Sequence, residues 1–279
     1  QYLLWLAFFS SFAVKLPMWP AHTWLPDAHV EAPAPISVFL AGLLLKMGGY
    51  GFLRLNIGIL GEASKSLAFL FIGLGVITMF YGAIVALKQT DLKRMIALTS
   101  INHMGFVVVG AFTANLLGVS GAIFQMFNHG IAIGLLFMLT GYIYEQTGSR
   151  EIPLLKGMQK NIPRTAILLT LASLAGMGAP IFSLFLSEFM VIAGAISFNY
   201  GLAVAMLIPI ITVSYFLWMI RRVVMSNPTD TQSYREMSLR SAIILSIYLI
   251  PLLLLVIFPY LLLDVIDPIS TTLINALGG

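Results

Sequence analysis

The chain has 279 residues, of which 59% are hydrophobic and 9% charged, with a formal net charge of +4 and a mean hydropathy of +0.96. A soluble domain carries about 25% charged residues, so this composition excludes a water-covered globule, and the basic balance fits loop lysines and arginines of a membrane protein better than nucleic-acid binding. The sequence has no cysteine, which excludes cysteine-ligated iron–sulfur centres and disulfides; no phosphate-binding glycine fingerprint is present either, and no cofactor is expected in this chain.

Long apolar runs separated by short polar stretches fit helices of about 20 residues crossing a bilayer, without the alternation of a β-barrel. The predicted fold is an all-α, polytopic transmembrane helical bundle of about eight crossings. The first covers 1–15 and is interrupted at Pro17 and Pro20; the next four cover 36–55, 67–87, 92–112 and 119–144. The sixth runs over 164–198 with a break at Gly178-Ala179-Pro180, and the last two cover 202–220 and 242–260. Beyond them, Asp264 and Asp267 read as an acidic tail. The chain opens at Gln1 inside an apolar run, and an N-terminal portion is expected to be missing.

Charge placement orients this topology. The side holding the first loop, His22 to Glu31, receives Lys88, Lys93, Arg94, Arg150, Lys156, Lys160, Arg164, Arg221, Arg222, Arg235 and Arg240; the other receives Arg54, Lys65 and the acidic tail. The positive-inside rule makes the basic side cytoplasmic. The sixth segment is then one broken crossing, because reading it as a hairpin would move Arg221, Arg222, Arg235 and Arg240 across. Broken helices free backbone groups that survive at membrane depth only beside protein or a hydrated cavity. A pair of them, here the first and sixth crossings, is the sequence pointer to a transport site.

Five ionisable residues remain near mid-membrane: Lys15, Lys46, His103, His129 and Glu188. A charge at the bilayer centre costs about 2.5–3.5 kcal/mol even on the lenient insertion scale, so such groups point to a proton relay. Each has a plainer reading. Lys15 could cap carbonyls at the Pro17 break, Lys46 could sit in a structural ion pair, and Glu188 could be a neutral acid bonded to a carbonyl. His103, beside Ser100 and Asn102, and His129, one turn from Gln125, could be hydrogen-bonded core residues; no carboxylate at helical spacing completes a metal site with them. His22, Asp27 and His29 fall in the first cytoplasmic loop, where Pro20 and Pro26 are expected to prevent a regular helix. They are read either as a proton entry or as a solvated turn. Asp91, Lys93 and Arg94 read as a helix start with an inner-side charge anchor.

The segments Lys15-Leu-Pro-Met-Trp-Pro-Ala-His-Thr-Trp-Leu-Pro-Asp-Ala-His-Val-Glu-Ala-Pro33 and Leu40-Ala-Gly-Leu-Leu-Leu-Lys-Met-Gly-Gly-Tyr-Gly51 resemble the antiporter-like subunits of respiratory complex I. Gln89-Thr-Asp-Leu-Lys-Arg94, Asn102-His-Met-Gly-Phe106, His129-Gly130 and Ser187-Glu-Phe189 continue the pattern in order. Glu188, in the last broken helix, is similar to the chain M (mitochondrial subunit four) type rather than to its sister chains L and N. The resemblance implies one transmembrane domain in which 1–55 is the tail of a first repeat, 66–222 an inverted second repeat and 240–262 a final helix. It implies a non-redox, proton-translocating subunit. Lys15 would be the lysine of the first broken helix, whose partner glutamate lies on an earlier helix, Lys46 the central-axis lysine, His103 and His129 the connecting histidines and Glu188 the exit group. Implied partners are neighbouring antiporter-like chains, peripheral redox subunits indirectly, and the lipid bilayer, with no nucleic acid. The implied location is the inner (plasma) membrane of a prokaryote, or an organelle inner or thylakoid membrane. The stretch Ala179-Pro-Ile-Phe-Ser-Leu-Phe185 is bulkier than the family pattern, which bears on the width of the outer half-channel. The same family serves membrane-bound hydrogenases, other dehydrogenases and multisubunit sodium/proton antiporters, which stand as rival readings. A bundle whose buried charges only specify the fold is a third.

Overall fold

The computed structural model describes residues 1–228 and 234–278. The chain is a helical, multi-pass membrane protein. Among the described residues, six helical spans are long and apolar enough to cross a bilayer: α3 (Ala34–Ile57), α4 (Gly61–Leu87), α5 (Leu92–Phe112), α6 (Leu116–Thr147), α9 (Tyr200–Val223) and α10 (Leu239–Ile257). Two crossings are broken. The first consists of α1 (Tyr2–Lys15) and α2 (Trp24–Glu31), the second of α7 (Pro163–Gly176) and α8 (Ser183–Phe198). A last helix, α11 (Tyr260–Ala276), follows α10.

Two expectations are corrected here. The stretch around Asp27 is not an irregular, solvated loop: Trp24–Glu31 is helical, and His22 and His29 are buried. Pro26 is tolerated because it sits in the first helical turn, where backbone N–H groups have no intrahelical partner to lose. The C-terminal residues are not a free acidic tail. Asp267 belongs to α11, whose polar side lies against the start of α6, with Asp267 Oδ1 2.6 Å and Ser270 Oγ 2.9 Å from Ser120 Oγ. At the helix end, Lys65 Nζ donates to Gly278 O at 3.2 Å.

The centre of the bundle is α5, in which every residue except Arg94 is buried. Asp91 caps its start by accepting from Arg94 N at 2.8 Å, which satisfies one of the orphan donors of a helix N-terminus. Helices α4, α6 and α8 pack around it. Close approach between α4 and α5 depends on small residues, as is usual between helices in lipid. A Cβ at Gly82 would stand 2.5 Å from the backbone N of Asn102, and 3.0 Å from Leu98 O. An aromatic cluster closes the far end: Trp5 packs on Phe9, Phe71 and Phe112. The polar edge of Trp5 is satisfied by Nε1 donating to Ser64 Oγ at 2.7 Å.

The basic ends of the helices hold the second half of the first broken crossing in place. Lys93 Nζ donates to Ala32 O, and Arg150 Nη1 donates to Val30 O at 2.6 Å. Two cations thus cap the carbonyl end of α2, where the helix dipole favours positive charge. Arg150 is in turn 3.6 Å from Asp91 through Nε and Oδ2.

Because the atom facing Gly82 is backbone, Gly82→Ala is expected to destabilise the protein by about 1–3 kcal/mol through overpacking. Gly73→Ala is the matched control, since a Cβ there meets nothing within 4 Å. Thermal unfolding of both variants in the same detergent checks this; equal midpoints would contradict it.

Candidate functional site: a buried line of ionisable groups

Lys46 lies on α3 just past a π-helical segment, Leu40–Leu44. Such wide turns are rare and tend to occur where function demands a distorted backbone. The side chain is half-buried and folds back along its own helix, its Nζ donating to Ala41 O. The same Nζ sits 2.5 Å from Nδ1 of His129 on α6. An ammonium has only donors, so with Lys46 charged the His129 Nδ1 accepts and the imidazole proton belongs on Nε2.

From His129 the line continues into α5. The rings of His129 and His103 are edge to face, with centroids 5.4 Å apart at 82°. His103 Nε2 then stands 3.4 Å from Glu188 Oε1 on α8. His103 and His129 are fully buried, and Glu188 is 4% exposed. Four of the five residues singled out at mid-membrane therefore stand in sequence across four helices, in the order Lys46, His129, His103, Glu188.

The second helix break shapes the Glu188 end. Gly178 has a positive φ of 71° and packs directly on the carboxyl, for a Cβ there would lie 2.7 Å from Glu188 Oε2. A left-handed backbone and a bare Cα are both properties only glycine supplies cheaply. Helix α6 fixes the start of α8 through reciprocal bonds, Asn128 Nδ2 to Ser183 O at 3.0 Å and Ser183 Oγ to Asn128 Oδ1 at 2.8 Å. Next along α6, Gln125 accepts from Ser187 Oγ at 2.5 Å, and its side chain lies beside the Glu188 carboxyl.

The remaining named residues are placed differently. Lys15 ends α1 at the first break and is exposed; it lines one open groove with Lys46, Phe12, Phe39, Leu43 and Tyr50. His29 is stacked on Phe137, centroids 4.5 Å apart, and is close enough to Lys46 and His129 to act on them electrostatically. His22 is buried against Tyr81, 4.4 Å between centroids. Asp27 is the exposed member, with Oδ1 2.8 Å from Arg94 Nη1. His22, Asp27 and His29 thus do not share one surface mouth. Sequence reading missed the contact between Gly178 and Glu188 and the capping of α2 by Lys93 and Arg150. The capping of α2 has no local signal, since it joins residues far apart in the chain; the Gly178 contact lies within the second broken crossing, where the glycine at the break was the one signal for it.

Comparisons with known proteins bear on the family and the fold. Residues 1–217 match the family described as NADH:quinone oxidoreductase/Mrp antiporter, transmembrane. The chain is 43% identical over 272 residues to NADH-quinone oxidoreductase subunit M of Rhodobacter capsulatus, covering 96% of this chain and 53% of that one. It is 46% identical over 231 residues to NAD(P)H-quinone oxidoreductase chain 4 1 of a Synechococcus strain, covering 80% and 44%. The chain spans about half the length of the curated relatives it matches. Among solved structures, a chain of respiratory complex I from Thermus thermophilus with bound NADH superposes with a TM-score of 0.93 at 29% identity, covering all of this chain and 59% of that one. A chain of the Mrp complex from a Dietzia species shares the fold at a TM-score of 0.87 and 20% identity, over 97% and 60% of the two chains. The chain belongs to the transmembrane NADH:quinone oxidoreductase/Mrp antiporter family.

Proposed function

We propose that the chain is a non-redox, proton-translocating membrane subunit of a complex I-like NADH:quinone oxidoreductase. Protons move along Lys46, His129, His103 and Glu188. The observation that carries this reading is the continuous approach of those four side chains, from the 2.5 Å contact between Lys46 and His129 to the 3.4 Å contact between His103 and Glu188. Each member can exist with or without a proton, and each stands within reach of the next directly or through one water. Lys15 shares the groove of Lys46. An ammonium on one opposes an ammonium on the other, so loss of a negative counter-charge beside Lys15 favours handing a proton from Lys46 to His129.

On this reading the partners are other membrane subunits of the complex, including neighbouring antiporter-like chains, with peripheral redox subunits acting at a distance. The subunit sits in the inner membrane of a prokaryote. His29, buried and within electrostatic reach of Lys46 and His129, is the entry-side member, and the exposed Asp27 serves the approach from the basic face.

Replacement of Lys46 by Met in the native assembly is expected to cut NADH-driven proton movement into sealed vesicles by about tenfold or more. The assembled amount and the uncoupled NADH oxidation rate should stay near normal. Unchanged pumping in an intact assembly would contradict the reading, and proton movement driven by a sodium gradient without NADH would favour a cation/proton antiporter. Gly178→Ala is expected to displace the Glu188 carboxyl. Its infrared carboxyl band, identified by its loss in Glu188→Gln, should shift in Gly178→Ala and stay in place in Gly73→Ala.

A further inference from the structure

The second broken crossing starts without a cap of its own. Helix α7 opens on Pro163, preceded by Ile162, whose side chain accepts no hydrogen bond. Pro163 has no N–H, and Ala166 N donates to Ile162 O at 3.0 Å. The donors left without an intrahelical partner are therefore the N–H groups of Arg164 and Thr165. One residue far along the chain takes up both. Glu236 Oε2 accepts from Arg164 N at 2.8 Å, and its Oε1 accepts from Thr165 N at 3.4 Å and from Thr165 Oγ1 at 3.0 Å. The carboxylate stands at the end of the helix dipole that favours negative charge.

Glu236 is itself held. Its Oε1 also accepts from Met237 N at 2.7 Å, and Arg164 Nη1 donates to Met237 O at 3.2 Å. Met237 is fully buried. The next residue, Ser238, is the N-cap of α10, its Oγ accepting from Ser241 N at 3.1 Å. The start of α7 and the start of α10 are thus fastened together. The first broken crossing is fastened in the opposite sense: the carbonyl end of α2 is held by the cations Lys93 and Arg150, and the amide end of α7 by an anion.

Both α7 and α10 lead from this clamp to Glu188. Along α7, 14 residues at about 1.5 Å each run to Gly176, and Gly178 then packs directly on the Glu188 carboxyl. Hydrogen bonds keep that turn continuous with the helix: Met177 N donates to Ser173 O at 2.9 Å, and Ala179 N to Leu174 O at 3.0 Å. Along α10, Leu255 belongs to the same buried cluster as Met190, two residues beyond Glu188 on α8. Helices act as rigid elements, so a shift at the start of α7 is carried to Gly178.

We propose that Glu236 is a positioning residue for the exit end of the relay: by clamping the first turn of α7 to the start of α10, it sets where Gly178 meets the Glu188 carboxyl. This rests on the relay reading above and deepens it at Glu188.

The test replaces Glu236 by Ala and by Gln in the full-length chain within its native membrane assembly, with Lys46→Met as reference. Two quantities are read: the infrared carboxyl band of Glu188, identified by its loss in Glu188→Gln, and protons moved per electron in sealed vesicles. A glutamate that only stabilises the fold would change the amount or heat resistance of the assembly and leave that band in place. The clamp predicts that in Glu236→Ala the band shifts and protons per electron fall about threefold or more, at normal uncoupled NADH oxidation. Glu236→Gln keeps one acceptor oxygen and should move both readings in the same direction by less; it stands in should Glu236→Ala assemble poorly. An unmoved band or normal pumping in the assembled variant, beside a strongly impaired Lys46→Met, overturns the positioning role alone. Normal pumping in Lys46→Met overturns the proposed function, and this inference falls with it.

Discussion

An ionisable side chain in the middle of a membrane bundle must be desolvated, and the rest of this structure follows from how that cost is met. For an isolated charge the cost is about 2.5–3.5 kcal/mol on insertion scales and more by simulation. Lys46 meets it by folding onto the carbonyl of Ala41 and the ring nitrogen of His129. His103 and Glu188 meet it by facing each other across α5 and α8. The two histidines between them are left incompletely satisfied. His129 Nε2 and both ring nitrogens of His103 lack a full hydrogen bond among the described residues. On the proposed function, groups placed this way are held firmly enough to stay buried and loosely enough to exchange protons.

The two helix breaks serve the same constraint from the backbone side. A continuous helix hides every carbonyl and amide from lipid, whereas a break exposes several and is tolerated only where protein surrounds it. Around the second break the surroundings are explicit. Asn128 and Ser183 satisfy the start of α8, and Gly178 lets the chain turn against the Glu188 carboxyl. At the first break, α2 is held from its far end by Lys93 and Arg150. The basic residues of this face are thus structural: Lys93 and Arg150 clamp the half-helix carrying His29.

Much of the fold was legible because hydrophobic length and charge asymmetry are local, additive signals. The crossing over 92–112 coincides with α5 because Asp91 is a strong cap and Phe112 ends the apolar run. The break at Gly178-Ala179-Pro180 was visible in its residue types. The helix Trp24–Glu31 was not, because Pro26 reads as a breaker unless its place in the first turn is known. The helix α11 was hidden because Asp264 and Asp267 made the segment look like a solvated tail, although its apolar positions follow a helical face. Of the candidate site, the residue types could be chosen from the cost of burying charge alone. Their order could not, since it depends on which faces of α3, α5, α6 and α8 meet.

On the proposed relay, His103 is the residue that hands the line from Lys46 and His129 on to Glu188. The most direct measurement is therefore the number of protons moved per electron in sealed vesicles carrying His103→Leu, with the assembled complex quantified in the same preparation. The account predicts that assembly and uncoupled NADH oxidation persist while proton movement through this subunit is lost. Full proton movement in an intact His103→Leu assembly would contradict it.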